Sequence, residues 1–219
     1  MKKVLVFAPH PDDEILGCGG ILLKRRKEFP EISICYVTYG DTPPAWNISK
    51  EEYTKLREIE ARKVCKKLNV SNVHFLGEPD GFLKTTESLI KKVVRVIREE
   101  KPHRVYIPHD KESNSDHKKV HEIVKEAIWW ASFSYFPECL TEIWEVPEIF
   151  CYEVWTPMID FNYVEDITNV MVKKIELLQK YKSQLDIIRY DEAIKGLNRY
   201  RGIMSERGYF VEVFNAIKI

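Results

Sequence analysis

Residues 4–20 read VLVFAPHPDDEILGCGG, and this stretch decides the fold. Val4 to Ala8 is a short apolar run of the residue types that suit a strand buried on both faces, and it stops at Pro9. The apolar spacing from Ile15 predicts a helix to Glu28, with Pro30 beyond its end and Gly17, Gly19 and Gly20 allowing close approach to a sheet. A strand, turn and helix in this order place the turn at the carboxyl edge of a sheet, where open α/β folds bind ligands. His10, Asp12, Asp13 and Glu14 crowd that turn. Like charges so close repel, and their desolvation is costly unless a cation offsets it. A divalent metal is the simplest candidate, since imidazole and carboxylate are normal zinc ligands and an unligated carboxylate nearby can handle a proton from bound water.

Three protein ligands would leave a position open for chemistry, so a third has to come from elsewhere. Arg104 to Pro108, RVYIP, reads as another short strand and leads into HDKESNSDHKKVHEIV, with His109, Asn114, Asp116, His117 and His121. Again the cluster follows a strand and precedes a helix, so both clusters are expected at the same sheet edge. His117 is the best third ligand. His121 lies four residues on, on the same helix face, but the rest of an H-E-x-x-H pattern is missing and a packing role suits it better. Asp116 is placed to orient another imidazole. A dinucleotide site is the competing reading of a glycine-rich first turn, yet no G-x-G-x-x-G is present.

APHPDDE at 8–14 and S-D-H-x-x-V-H at 115–121 resemble the two signature blocks of the LmbE-like, PIG-L type zinc-dependent N-acetylglucosamine deacetylases. The likeness continues in R-x-x-E-A at 57–61, EPDGFL at 78–83, YEVW at 152–155 and YKSQ at 181–184, covering nearly the whole chain. It implies His10, Asp13 and His117 as zinc (Zn2+) ligands, Asp12 as general base, and an N-acetylated amino sugar as the small-molecule substrate. Many members carry a histidine three residues before the ligand histidine; here that place is Asn114. The chain instead follows a branch resembling H-x-x-D-x-N-x-D-H from His109 to His117, with Glu112 at the acidic position, so the donor to a developing oxyanion is His109 or Asn114.

Further strands are predicted at 32–39, 73–76, 149–155, 163–167 and 209–214, and further helices from a Ser49 cap to Leu68, over 87–100, from about Asp116, over 169–182 and over 191–206. The expected architecture is a three-layer α/β/α fold with a Rossmann-like, largely parallel sheet, in a single domain spanning 1–219. Projecting the apolar face of Ala61, Val64, Cys65 and Leu68 back one turn puts Arg57, with Glu60 beside it, near the ligand edge. The resemblance makes Arg57 a substrate-hydroxyl ligand held by Glu60. Asp80, in an Asp-Gly turn at a strand end, is a second candidate for sugar hydroxyls, and Trp46 is a candidate to stack on a sugar face. Ser132 to Pro147, aromatic and punctuated by prolines, is read as a lid, a subunit contact or a plug over the core. His74 and His103 flank strands with no partner acid evident from sequence.

Basic and acidic residues balance at 34 each, which leaves no footprint for a polyanion, so neither nucleic acid nor an anionic membrane is expected as a partner. The 5 cysteines form no C-x-x-C pair, so buried reduced thiols in a cytoplasmic protein are expected, Cys18 included. No apolar run reaches spanning length and the first one lacks a cleavage-site pattern. The resemblance also leaves room for a homo-oligomer.

Overall fold

The computed structural model describes residues 2–43, 48–140 and 142–218; Trp46 lies outside them. The chain begins with β1 (Lys3–Ala8), α1 (Asp13–Lys24), β2 (Glu31–Thr38), α2 (Lys50–Leu68), β3 (Asn72–Glu78), α3 (Glu87–Glu100), β4 (Arg104–Pro108), α4 (Ser115–Ala131) and β5 (Glu148–Tyr152). It closes with β6 (Tyr163–Asp166), α5 (Met171–Leu178), the short α6 (Lys182–Leu185), α7 (Tyr190–Ser205) and β7 (Val211–Lys218). The strands form a 7-stranded sheet in the order β3-β2-β1-β4-β5-β7-β6. β1 to β5 pair in parallel, whereas β7 runs antiparallel to both β5 and β6. The expected largely parallel α/β sheet is therefore formed, with an antiparallel edge added after β5.

Alternation along β1 explains its unbroken apolar sequence. Val4, Val6 and Ala8 face one core with Ile15, Val64, Leu178 and Ile194, while Leu5 and Phe7 face the other with Val93, Ile97, Val120 and Val124. A strand covered by helices on both faces has no polar side to present. Order 3-2-1-4-5 reverses direction between β1 and β4, and a crevice opens at the carboxyl ends of strands where such a reversal occurs. Both sequence clusters follow these two strands.

Gly17 is what allows α1 to sit on the sheet: a Cβ there would lie 2.1 Å from the Tyr152 ring, whose hydroxyl donates to the Phe7 carbonyl at 2.8 Å. Ser49 caps α2, as expected, and the structure adds a reciprocal box with Glu52. Several predicted elements differ in extent, among them the strand expected over 73–76, which runs Asn72–Glu78, and the one expected over 209–214, which runs Val211–Lys218. Helix 1 starts at Asp13 rather than Ile15, which brings Asp13 and Glu14 into its first turn. β5 stops at Tyr152, because the N–H groups of Val154, Trp155 and Thr156 are taken by the Glu112 carboxylate. The expected helix over 169–182 ends at Leu178, and the break turns Tyr181 inward, where it is fully buried.

The described residues of the Ser132 to Pro147 segment pack against α3 and α4, and none of them lines the cleft around His10, so they form no lid over it. Phe136, Cys139 and Val146 are buried in the core beside α3 and α4, and the buried Arg98 guanidinium ties the segment by donating to the carbonyls of Ala131, Phe136 and Leu140. Cys18, Cys35, Cys65, Cys139 and Cys151 are all free and buried, as expected. His74 and His103 do have acid partners, contrary to expectation: Glu100 at 2.6 Å and Glu148 at 3.2 Å, each delivered by a different element. Among the described residues, no helix is long and apolar enough to cross a membrane.

Candidate metal centre

The turn after β1 and the first turn of α4 bring His10, Asp13 and His117 together. Asp13 Oδ2 lies 3.2 Å from His10 Nδ1 and 3.2 Å from His117 Nε2, and the two imidazole nitrogens are 3.3 Å apart. Each atom arrives by local structure. The His10 backbone N–H donates to Asp13 Oδ2 at 2.9 Å, pinning the carboxylate across the turn. Asn114 caps α4 with its Oδ1 accepting from the N–H groups of Asp116 and His117, which fixes where the helix starts and so where His117 points.

The outer nitrogen of His10 is held by two more acids. Nε2 lies 3.1 Å from Asp80 Oδ1 and 3.3 Å from Asp116 Oδ2, an arrangement that suits a proton on Nε2 and leaves Nδ1 facing the centre as the atom a metal would take. Asp116 thus orients an imidazole, as expected. It also accepts from the Gly81 N–H at 2.7 Å, fastening the loop after β3 to α4. Asp80 lines the cleft, but its Oδ2 accepts from the Thr42 N–H at 3.0 Å, so both of its oxygens are already engaged. His117 Nδ1 is buried without a hydrogen-bond partner among the described residues; Glu112 Oε2 is 3.9 Å away.

A tetrahedral site with bonds near 2.0–2.1 Å has ligand-to-ligand edges of about 3.3 Å. The donor triangle has these edges. Two imidazole lone pairs and a carboxylate oxygen converging in a buried space repel one another unless a cation or a proton lies between them. The residues present therefore fit a divalent metal. Burial opposes a charge on His10, but Asp116, Asp13 and Asp80 outweigh it and raise its pKa well above 6.5. Asp13 is shifted the other way: burial is outweighed by His117 and His10, which hold its carboxyl far below the usual range.

Asp12 stands beside this triangle in a strained backbone conformation, φ 132° and ψ −29°. The peptide before it is gripped at both ends. Arg57 Nη2 donates to the Pro11 carbonyl at 2.5 Å, and the Asp12 N–H donates to Glu14 Oε2 at 3.0 Å. Glu14 is fully buried and accepts from the Tyr181 hydroxyl at 2.5 Å. Burial pushes the Asp12 carboxyl up to about 7, against the Arg57 charge 3.6 Å away and with help from Asp13. Neither Glu14 nor Tyr181 carries a role in the sequence expectations, although both lie inside the quoted motifs.

Arg57 and Glu60 do not pair as expected. Glu60 instead accepts from Ser183 N and Oγ at 3.0 and 2.6 Å, tying α2 to α6. Arg57 is 1% exposed, and its Nη1 has no partner among the described residues although the side chain lines the cleft. Of the two oxyanion candidates, Asn114 lines the cleft and spends only its oxygen on the cap. His109 faces away: Nε2 bonds the Thr156 carbonyl at 2.7 Å and Nδ1 accepts from the Lys111 N–H at 3.2 Å. His121 lies outside the triangle, with Nδ1 on the Pro108 carbonyl at 2.8 Å.

Fold and site together define an open α/β protein with a cleft, at the point where strand order reverses, whose two histidines and one aspartate fit a metal ion. The chain belongs to the PIG-L family, described as GlcNAc-PI de-N-acetylase, whose family model matches residues 5–128. It is 27% identical over 220 aligned residues, 95% of this chain and 81% of the relative, to a diacetylchitobiose deacetylase of Thermococcus kodakarensis. Among solved structures it resembles the conserved protein TT1542 from Thermus thermophilus, with a TM-score of 0.85 and 25% identity over 99% of this chain and 95% of the other. The N,N′-diacetylchitobiose deacetylase from Pyrococcus horikoshii shares the fold, with a TM-score of 0.90 at 23% identity over 99% of this chain and 84% of the other.

Proposed function

We propose that the cleft hydrolyses the N-acetyl group of an amino sugar, with His10, Asp13 and His117 holding zinc. Membership of a de-N-acetylase family and the name of the archaeal relative support the reaction, and the donor triangle of 3.2–3.3 Å edges is the observation that carries it. When bound, such an ion polarises the amide carbonyl and makes a water acidic near neutral pH. Asp12 takes a proton from the attacking water. Its raised pKa of about 7 suits a group that must gain and then return a proton near neutrality. Water adds a hydroxyl to the acetyl carbon, the C–N bond breaks, and Asp12 returns the proton to the departing nitrogen, giving acetate and an amine. The free Asn114 amide N–H₂ is the donor to the developing oxyanion, because both ring nitrogens of His109 are occupied elsewhere. Arg57, whose side chain lines the cleft, is placed to meet a sugar hydroxyl, and Asp80, already bound to His10, borders the same hydroxyls.

The test is a mass-spectrometric screen of N-acetylated amino sugars for loss of one acetyl group, alongside metal analysis of the purified protein. Asp12→Asn is expected to retain about one zinc per chain and to lose about 10²–10⁴-fold in turnover. His117→Ala is expected to lose the metal. Zinc-loaded wild type that releases no acetate from any of these sugars, or an Asp12→Asn variant with full activity, would overturn the proposal.

A further inference from the structure

The metal cleft has an apolar annex. The polar chamber around His10, Asp12, Asp13 and Arg57 has a volume of about 170 Å³, and a second chamber of about 310 Å³ adjoins it. Leu16, Trp155 and Tyr190 line both. Trp155 and Tyr190 meet edge to face, with centroids 5.4 Å apart and an interplanar angle of 81°, and form the shared wall. Beyond it the annex is lined by Val154, Ile188, Ile194 and Leu197, with Pro157 and Ala193 at its border. Among the described residues no charged side chain lines it, and the Tyr190 hydroxyl and the Trp155 indole N–H are its only polar side-chain groups.

A single large apolar side chain left in water needs no explanation, but several around one concavity beside a polar site do. Trp155 is 45% exposed and Ile188 43% exposed, and both turn towards this annex rather than towards the core. An acetyl methyl takes roughly the space of a water, about 30 Å³, so it does not account for the annex. A second hexose or an inositol would bring hydroxyls that find almost no partner there, at a desolvation cost with nothing to offset it. An alkyl chain or aryl ring finds matching walls.

We propose that the substrate is an amphiphile: an N-acylated amino sugar whose polar ring occupies the metal cleft while an alkyl or aryl group fills the annex. The inference rests on the reading of the His10–Asp13–His117 cleft as a deacylation site, and adds the chemical class of what is attached to the sugar. The apolar group reaches the annex either as the aglycone or as the acyl chain itself, and the two are separable by experiment.

Two series decide it, both below micelle-forming concentration: alkyl N-acetylglucosaminides of increasing aglycone length, and N-acylglucosamines of increasing acyl length, with N-acetylglucosamine and N,N′-diacetylchitobiose alongside. In one series kcat/KM is expected to rise about fourfold per methylene over the first few carbons, as for burial of a methylene. A rise with aglycone length assigns the annex to the aglycone, and a rise with acyl length assigns it to the acyl chain; either supports the proposal. Ala193→Glu, at an exposed site on α7 that borders the annex, is expected to flatten that slope. Flat profiles in both series, or N,N′-diacetylchitobiose preferred over every alkyl glycoside, would overturn the amphiphile while leaving deacetylation intact. Flat profiles with Ala193→Glu lowering the oligomeric mass would assign the apolar face to a second copy of the chain. Release of no acyl group from any compound would instead remove the reading of the site on which the proposal stands.

Discussion

The backbone N–H of Asp12 donates to the carboxylate of Glu14, two residues ahead of it, at 3.0 Å. This bond closes a turn in which Asp12 has φ 132°, a conformation that L side chains adopt only when their surroundings compel it. The compulsion comes from three places. Glu14 holds the N–H, Tyr181 holds Glu14 through a 2.5 Å hydrogen bond, and Arg57 holds the preceding carbonyl. Glu14 therefore positions the base of the proposed reaction without touching the substrate. Glu14→Gln is expected to lower kcat about 10–100-fold, the scale on which a misplacement near one ångström acts. Tyr181→Phe removes one hydrogen bond to Glu14 and is expected to cost about fivefold, close to 1 kcal/mol. In both variants zinc content and KM are expected to stay near wild type, because the donor triangle is built independently of this chain of contacts. A loss of zinc in step with activity would show that Glu14 and Tyr181 support the metal centre instead.

Much of this site is legible in the primary structure because the turn after β1 and the cap of α4 are local. The order of residues around His10 and around His117 sets which groups leave the sheet edge, and a strand-turn-helix grammar sets that both groups leave it on the same side. What is not local is not legible. A helical projection puts Glu60 near Arg57, yet it cannot reveal that Ser183, more than a hundred residues on, offers Glu60 two better donors. The acids on His74 and His103 come from α3 and β5 in the same way. Asp80 reads as a free carboxylate in a turn until α4 and His10 are placed beside it. Tyr181 sits in a periodic helical segment, and only its hydrogen bond to a buried Glu14 explains why the helix breaks before it.

A buried ion pair contacts α1 in mid-helix, and its energetics are testable. Lys174 is 0% exposed, and its Nζ donates to Glu212 at 2.8 Å, to Asn198 Oδ1 at 2.9 Å and to the Leu16 carbonyl at 2.9 Å. Glu212 in turn accepts from the N–H groups of Gly20 and Ile21, both at 2.7 Å. Leu16 C=O and Gly20 N–H are the two groups a regular helix would pair with each other. Lys174→Met strands a carboxylate in the core and is expected to cost about 3–5 kcal/mol by chemical denaturation. In Lys174→Met/Glu212→Met the helix can re-form its own rungs and no charge is left behind, so the double variant is expected to be more stable than the single one. A double variant as unstable as the sum of the two single losses would show that Lys174 and Glu212 are not coupled and would overturn this account.

His121 gives a pH dependence whose sign follows from its surroundings. Burial of this α4 side chain lowers its pKa below 6.5, only partly opposed by the hydrogen bond to the Pro108 carbonyl, and Lys125 lowers it further. The native chain holds this imidazole neutral, while the unfolded chain binds a proton there as pH falls through 6.5. Below that point the unfolded state carries more protons, so stability is lost on acidification until pH passes the native value, after which the loss is complete. Above 6.5 both states are neutral and the contribution is flat. The comparison is made on chelator-treated protein, so that metal binding does not enter, as a difference between wild type and His121→Gln. The unfolding free energy of wild type is expected to fall more steeply between pH 7 and pH 5 than that of the variant, with the two curves parallel from pH 7 to pH 9. Parallel curves throughout would show that His121 titrates alike in the folded and unfolded chains, and a steeper variant would mean that the buried site favours the imidazolium.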